Sequence, residues 1–273
     1  MLRSMFSAVS GLRSHQTMMD VTGNNIANVN TPGYKAQRTT FQETLTQLIR
    51  GGAAGQVGPG GAGWQNPMQI GLGVQVASTD MIDTQGASQL TGRPTDVAIQ
   101  GTGFFVVEAA GGAQFYMRAG AFSFDSDGQL VSPNGERVLS LVDGAPGAPI
   151  RVDFDDYTDV GINQLGEVVG LAQDGSAEII AQMVLARFPS HGGLQRAGNG
   201  LFAESVASGP PIYGAPGGME GHGRLQAGTL EMSNVDLAAE FTGLILAQRG
   251  FQANARTITT SDELLQELVN LKR

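Results

Sequence analysis

Several sets of side chains in this sequence have types and spacings that invite a chemical reading. Gly71-Leu72-Gly73 and Gly101-Thr102-Gly103 each form a GxG, but neither completes GxGxxG or opens a helix within a βαβ unit, so neither builds a phosphate cradle. They read as strand ends. Asp125, Asp127 and Glu136 resemble a fragment of a calcium loop, yet the EF-hand order is broken and Asp127-Gly128 is a ready hairpin turn. Asp153, Asp155 and Asp156 offer grouped carboxylates for acid-base work, but no His stands nearby and no apolar pocket is implied to separate their proton affinities. A solvated strand end accounts for them. His15, His191 and His222 share no ligand spacing, and the absence of Cys removes disulfides, zinc ribbons and thiol nucleophiles. No catalytic, cofactor-binding or metal-ligating residue is assigned, and no cofactor is expected.

The elements that must position these residues differ sharply along the chain. Of 273 residues, 40 are Gly and 11 are Pro, which allows one or two domains with a sizeable core. Thirty-five of the glycines lie between Gly51 and Gly228, and no proline precedes Pro32 or follows Pro216. Both residues punctuate turns and weaken helix interiors, so the middle reads as strand and turn and the two ends as helix. A net charge of -9 and only two lysines, Lys35 and Lys272, argue against nucleic acid as a partner. No stretch approaches the roughly 20 apolar residues of a bilayer span. The start, Met1-Leu2-Arg3-Ser4, lacks a secretory h-region, so membrane insertion is not expected and any export would proceed without cleavage.

In the first segment a 3-4 spacing runs through Leu2, Met5, Val9, Leu12, Gln16, Met19, Gly23 and Ile26, the signature of an amphipathic helix. It should end near Asn28, where Asn, Pro32 and Gly33 favour left-handed and extended backbone. The last segment repeats the pattern through Leu237, Phe241, Leu244, Gln248, Phe251, Ala255, Ile258, Asp262, Leu265 and Val269, a heptad-like seam. Ser233 or Asn234 is the expected cap, giving a helix from Ser233 to Leu271. Both helices attach to the same middle region, which predicts an antiparallel coiled-coil stalk. Phe6, Ile245 and Leu264 lie beside the seams and require further subunits to cover them. Gly11, Gly23, Gly243 and Gly250 each weaken isolated helix by about 1 kcal/mol, so association should supply the order.

Between the helices, residues 31–70 read as an extended connector. It holds a possible short helix at Thr39–Ile49 and a Gly-rich run that includes Gly51, Gly55 and Gly60, before the single tryptophan, Trp64. Trp64 is either an intersubunit anchor or a residue packed on its own β region. From Gly71 short β-type runs recur at Leu72–Val76, Val97–Ile99, Phe104–Val107, Phe115–Met117, Phe122–Phe124, Val138–Val142, Ile150–Phe154 and Ile179–Phe188. Asp127-Gly128, Asn134-Gly135, Asp143-Gly144 and Asp174-Gly175 supply turns, the spacing of a sandwich or barrel. Ser205–Gly223 reads as a return linker. The fold class is therefore α+β, with residues 1–30 and 232–273 helical, 31–70 a connector, and 71–231 a β-rich region with its return linker.

Six stretches of the sequence carry a resemblance. Met5-Phe6-Ser7-Ala8-Val9-Ser10-Gly11-Leu12, then Asn24-Asn25-Ile26-Ala27-Asn28-Val29-Asn30-Thr31-Pro32-Gly33-Tyr34-Lys35, resembles the N-terminal signature of bacterial flagellar rod and hook proteins. Gly92-Arg93-Pro94-Thr95-Asp96-Val97 and Gly103-Phe104-Phe105 look like the family's next blocks. Leu230-Glu231-Met232-Ser233-Asn234-Val235-Asp236-Leu237 and Ala247-Gln248-Arg249-Gly250-Phe251-Gln252-Ala253-Asn254 are similar to its C-terminal block. The resemblance implies a non-enzymatic axial protein of the bacterial flagellum, whose paired terminal helices form an inner tube with the β region outside. Asn30–Lys35 and the ending Thr259–Arg273 look more like the hook member, in a short form without an extra outer domain, with the distal rod member as the alternative.

On that reading the chain self-assembles into a hollow torque-transmitting tube. Its assembly residues are Leu2, Met5, Val9, Leu12, Met19 and Ile26 with Leu237, Phe241, Leu244, Phe251, Ile258 and Leu265, and its motif residues are Asn24, Asn25, Asn28, Thr31, Pro32, Gly33 and Tyr34. The partners the resemblance implies are further copies, other axial proteins including the distal rod and hook-filament junction, the hook cap and the export apparatus. Gly51–Gly63 is expected to be compliant, since Gly and Ala leave few side chains with which to lock it. Two other classes compete: an enzyme built on the carboxylates at Asp153–Asp156, and a coiled-coil adaptor of small fixed size.

Overall fold

The computed structural model describes residues 2–53, 64–218 and 221–271. The chain has an α+β fold in which two long helices flank a β-rich middle, and it divides into two compact units.

One unit gathers Met1–Ile26, Gln37–Asp80 and Leu237–Arg273. Helix α1 spans Leu2–Ala27, ending within a residue of the expected position before a turn in which the Thr31 N–H donates to the Asn28 carbonyl at 3.1 Å. Strands β1 (Gln37–Glu43), β2 (Thr46–Arg50), β3 (Met68–Gly71) and β4 (Val74–Met81) follow, and helix α2 spans Leu237–Asn270. At 1.5 Å per residue α2 is roughly 50 Å long and α1 roughly 40 Å. The expected short helix at Thr39–Ile49 is not formed. Its Thr39, Thr40, Phe41, Thr46 and Ile49 are β-branched or aromatic, and they pair instead as β1 with β4 and β2 with β3. Helix α2 also begins four residues later than expected. The Asn234 side chain accepts from the Ala36 N–H at 2.7 Å and donates to the Ile82 carbonyl at 2.8 Å, so it holds loops together rather than capping a helix.

The two helices run antiparallel in a fixed register. Gly11 faces Asn254, His15 faces Gly250, and Asn25 donates to Glu240 at 2.9 Å, so each advance along α1 is matched by an equal retreat along α2. The contact line is made of small and polar residues. Ala8, Gly11, Ser14 and Asn25 are buried on α1, and Ala247 and Ser261 on α2. A Cβ at Gly11 would stand 2.6 Å from Asn254 Nδ2, and one at Gly250 would overlap the His15 ring. Glycine is what permits the helices to approach this closely.

The second unit gathers Ala27–Ala36 and Met81–Asp236. Its strands are β5 (Ser88–Leu90), β6 (Val97–Gln100), β7 (Phe104–Glu108), β8 (Gln114–Met117), β9 (Ser123–Phe124), β10 (Leu130–Val131), β11 (Arg137–Val142) and β12 (Ala145–Pro149). These are followed by β13 (Tyr157–Ile162), β14 (Glu167–Ala172), β15 (Ala177–Gln182), β16 (Leu185–Arg187), β17 (Gln195–Gly198), β18 (Leu201–Ala203), β19 (Ile212–Gly214), β20 (Arg224–Ala227) and β21 (Thr229–Glu231). The main sheet runs β17-β18-β8-β7-β11-β10-β9, with β16 joining β7 to β19 and β12 beside β11. Strands β13, β14 and β15 form an antiparallel meander, and β20 pairs with β6.

Alternation along β7 explains why both faces of the main sheet are covered. Phe105 and Val107 enter a core with Val97, Met117, Val168 and Leu185, whereas Phe104 and Val106 enter a second cluster with Tyr116, Val184 and Phe188. Two sequence expectations shift within this unit. The run Ile150–Phe154 is not a strand: Ile150 and Val152 are buried in irregular backbone, their N–H groups donating to the carbonyls of Val138 and Gly128. The segment expected as a return linker, Ser205–Gly223, contributes β19 to the sheet.

Candidate functional site

The carboxylate groups considered for chemistry fold as turns. The Asp125 carboxylate accepts from the backbone N–H groups of Asp127 and Gln129 at 3.0 and 2.8 Å, while Glu136 accepts from the buried Ser132 hydroxyl instead of joining them. Asp153 accepts from the Asp155 N–H and is exposed, as are Asp155 and Asp156. His191 is 2.7 Å from Asp83, whereas His15 lies in the helix seam of the other unit.

What the structure does assemble is a buried ionic junction that sequence reasoning missed. Lys35, Arg118 and Glu231 are each at most 3% exposed. The Lys35 ammonium stands 2.8 Å from Glu231 Oε1 and donates to the Thr84 carbonyl at 2.8 Å. The Arg118 guanidinium stands 2.5 Å from Glu231 Oε2, and its other nitrogens donate to the carbonyls of Gly103, Ile99 and Gly101. Gly86 N–H donates to Glu231 Oε1 at 2.9 Å. Asp83, a quarter exposed and also 2.7 Å from His191, approaches Lys35 at 3.8 Å, so a second carboxylate faces the buried cations from the edge of the junction. Burial alone would raise the Glu231 carboxyl, but Arg118, Lys35 and the Gly86 N–H overcome it and hold it below the ordinary value. For Asp83 burial is likewise outweighed, by His191 first and then Lys35 and Arg118.

This junction clamps together the chain segments that lead to the two helices. Gly33 N–H donates to the Glu231 carbonyl at 2.7 Å, Asn234 N–H to the Tyr34 carbonyl at 3.4 Å, and Ala36 N–H to the Asn234 side chain. Gly33 has φ +68°, and a Cβ there would stand 2.7 Å from Ala119 Cα, so the position requires glycine twice over. Thr31 Oγ1 donates to Asn28 Oδ1 at 3.1 Å, and the Tyr34 ring lies under the Arg196 guanidinium at 4.7 Å. In the helical unit, Asn25 accepts from the Gln37 N–H at 3.0 Å and donates to the Gln37 carbonyl at 2.7 Å, tying α1 to β1. Asn24 is exposed on α1. The one hint in the sequence was Lys35, one of only two lysines, following a turn motif where a solvated lysine had no helical face to occupy.

The expected assembly residues flank the contact line rather than filling it. Met5, Leu12, Met19 and Ile26 on α1 and Leu244, Phe251, Ile258 and Leu265 on α2 are half-buried, while Val9, Leu237 and Phe241 are exposed. Phe6 (72% exposed), Ile245, Leu246 and Leu264 complete an apolar outer surface on the helix pair. The side chain of Leu2, and Gly55 and Gly60, lie outside the described residues. Trp64 is 80% exposed, so it does not pack on its own β region. At the ends of the connector β2 and β3 pair in antiparallel register from Thr46↔Gly71 to Arg50↔Met68, and Ala53 and Gln65 exchange N–H···O bonds of 3.1 and 3.0 Å, while residues 54–63 of the run expected to be compliant lie outside the described residues.

The described residues build a buried ionic clamp in one unit and, in the other, a close-packed helix pair whose large apolar side chains face outward. Known proteins resemble the chain along its whole length. Residues 5–35 match the family model for flagella basal body rod protein, residues 98–170 that for the flagellar hook protein FlgE/F/G D1 domain, and residues 226–271 that for the flagellar basal body rod FlgEFG protein C-terminal region. The chain is 44% identical over 273 residues, all of both chains, to the flagellar basal-body rod protein FlgG of Bacillus subtilis. It is 38% identical to FlgG of Agrobacterium fabrum, covering 96% of this chain and 97% of that one. It is 30% identical to the flagellar hook protein FlgE of Borreliella burgdorferi over 446 aligned positions, covering all of both. The chain belongs to the flagellar rod and hook protein family. No helix among the described residues is long and apolar enough to cross a membrane.

Proposed function

We propose that this chain is a distal-rod-type axial subunit of the bacterial flagellum, a non-enzymatic protein that polymerises through its terminal helices into a stiff, hollow drive shaft. Its partners on this reading are further copies, the neighbouring axial proteins and the export apparatus. The observation that carries rod over hook is the β2–β3 ribbon. A hook must change subunit spacing with every turn, which favours a connector whose backbone slides. Here the two ends of the connector, Thr46–Arg50 and Met68–Gly71, are joined by a register of hydrogen-bonded pairs and by the Ala53–Gln65 bridge. Two paired strands bend less readily than a Gly-rich coil.

The ribbon also needs a neighbour. Leu48, Ile49, Trp64 and Met68 are exposed, and an isolated two-stranded hairpin is marginal in water. Docking against an adjacent subunit would order it and stiffen the polymer. Length supports the same reading: alignment with the rod protein needs no more positions than this chain has, whereas alignment with the hook protein needs 446.

Electron microscopy of native polymers tests this. Uniformly straight, stiff tubes are expected, and curved, supercoiled tubes of variable bend would return the chain to the hook member. Turnover by a soluble monomer, or assembly to a small fixed number, would sink both.

A further inference from the structure

The helix register leaves part of α2 without a partner. Carried to the start of α1, it sets Leu2 opposite Glu263, so residues 264–270 run past the described start of α1. Leu264 and Leu268 on this overhang, with Leu271 just past the helix end and its N–H still donating to the Glu267 carbonyl at 2.9 Å, form one stripe at i, i+4 and i+7 and are 51%, 52% and 82% exposed. Glu263 and Glu267 flank the stripe, also at i, i+4.

A groove of complementary character lies on the same unit. Phe6, Val9 and Thr17 of α1 and Val74 and Val76 of β4 line a trough of about 560 Å³, with Arg13 on its wall. Two hydrogen bonds fix its sides: Val74 N–H donates to Ser10 Oγ at 3.2 Å, and Ser14 Oγ donates to the Val74 carbonyl at 3.4 Å. The trough runs from Phe6 to Thr17, roughly 16 Å of helix, against roughly 10 Å from Leu264 to Leu271. Among the described residues Arg13, Glu263 and Glu267 take part in no ion pair.

We propose that the overhanging end of α2 in one copy seats in the α1–β4 groove of a second copy, with its leucine stripe on Phe6, Val9 and Val74 and its glutamates on Arg13. The occupant is a second copy because the chain's own overhang points away from its groove along an antiparallel helix and would have to break α2 to return. A contact between two different patches of identical chains does not close on itself as a twofold dimer does, and its repetition gives an open polymer. The inference rests on the axial-subunit reading and names the joint through which copies add.

The chain has no Cys, which makes the test direct. Copies carrying only Val9→Cys are mixed with copies carrying only Leu268→Cys, assembled, and gently oxidised. A mixed disulfide dimer is expected in the polymer and not in the dilute mixture, since the bond forms only when the Cα atoms come within about 7 Å. In a second arm Arg13→Glu, and separately the pair Glu263→Arg and Glu267→Arg, should raise the concentration needed for assembly about tenfold, roughly 1.4 kcal/mol. All three substitutions in one chain should restore assembly, and unchanged melting of the dilute variants establishes that each still folds. Polymers that form without the mixed disulfide, or a triple variant that fails to recover, would overturn this joint while leaving the axial reading intact. Failure of the unaltered chain to polymerise at all would overturn the axial reading itself and the joint with it.

Discussion

The two units of this chain solve the burial of large apolar side chains in opposite ways. In the β-rich unit Phe104, Phe105, Phe122 and Phe188 are all within 1% of complete burial, and their rings meet edge to face. In the helical unit Phe6, Phe241, Ile245 and Leu246 are all more than half exposed, and the interior of the helix pair is lined by Gly, Ala, Ser and Asn. The first unit closes its aromatic core within one chain, although Leu90, Phe154, Ile179 and Val206 stay exposed on its surface. The second brings two backbones close together and spends its bulk on the outside, where only another molecule can cover it. On the proposed axial reading, that division holds stability in one unit and association in the other.

The largest expected effect falls on the finished unit. Glu231→Ala would leave Lys35 and Arg118 buried without their carboxylate, and removing one partner of a buried ion pair costs about 3–5 kcal/mol. Thermal melting of the dilute subunit should drop accordingly, and a loss below about 1 kcal/mol would mean that the junction is hydrated and no clamp. Acid probes the same groups. Glu231 and Asp83 are held below their ordinary values of 4.5 and 3.8, so the folded state binds fewer protons than the unfolded one as pH falls past them. Their contribution is complete above those values and is lost as pH drops through the lower, folded ones. Melting followed from pH 7 to pH 3 should show stability falling only in the acid limb, and the Glu231→Ala variant should show a shallower fall.

A smaller effect is expected at the helix seam. Gly11→Leu would drive its side chain into Asn254, and overpacking of this kind costs about 1–3 kcal/mol. Amide exchange should quicken along α1 and α2 while β7 and β11 keep their protection. Loss of protection in both units together would break the comparison, since it would make the helices and the β-rich unit one cooperative structure.

The same contrast explains which features were legible in the sequence. Helical periodicity located both helices because a 3-4 repeat of large apolar residues survives whether they face inward or outward. It misplaced the contact line by a fraction of a turn, because the helices touch through the small residues Gly11, Ala247 and Gly250, which carry little hydrophobic signal. Dipeptides such as Asp143-Gly144 located hairpins because the turn itself demands positive φ, observed at 50° and 79°. Strands β1 and β2 fall where a short helix was expected, because the β-branched and aromatic Thr39, Thr40, Phe41, Thr46 and Ile49 suit a paired strand and the partners they pair with lie far along the chain. The ionic junction was not legible, since Lys35, Arg118 and Glu231 are far apart in the chain and no local pattern joins them.

The smallest effect on the isolated chain, and the sharpest test of the division, concerns Trp64. Its indole is 80% exposed, beside the Ala53–Gln65 bridge that closes the ribbon. A side chain so exposed contributes little to its own fold, so Trp64→Ala should shift the stability of the dilute subunit by no more than about 0.5 kcal/mol. Within a polymer the same indole is a large, rigid apolar anchor, and truncating a buried interfacial tryptophan commonly costs about 2 kcal/mol or more. The variant should therefore assemble only at higher concentration, and its tubes should bend more widely under the microscope than those of the parent. Two measurements on one preparation, the melt of the subunit and the curvature of the polymer, separate the possibilities. A melt that falls by several kcal/mol with unchanged tubes would place Trp64 among the contacts of its own chain, and the ribbon would then belong with the finished part of the molecule rather than with the part that waits for a neighbour.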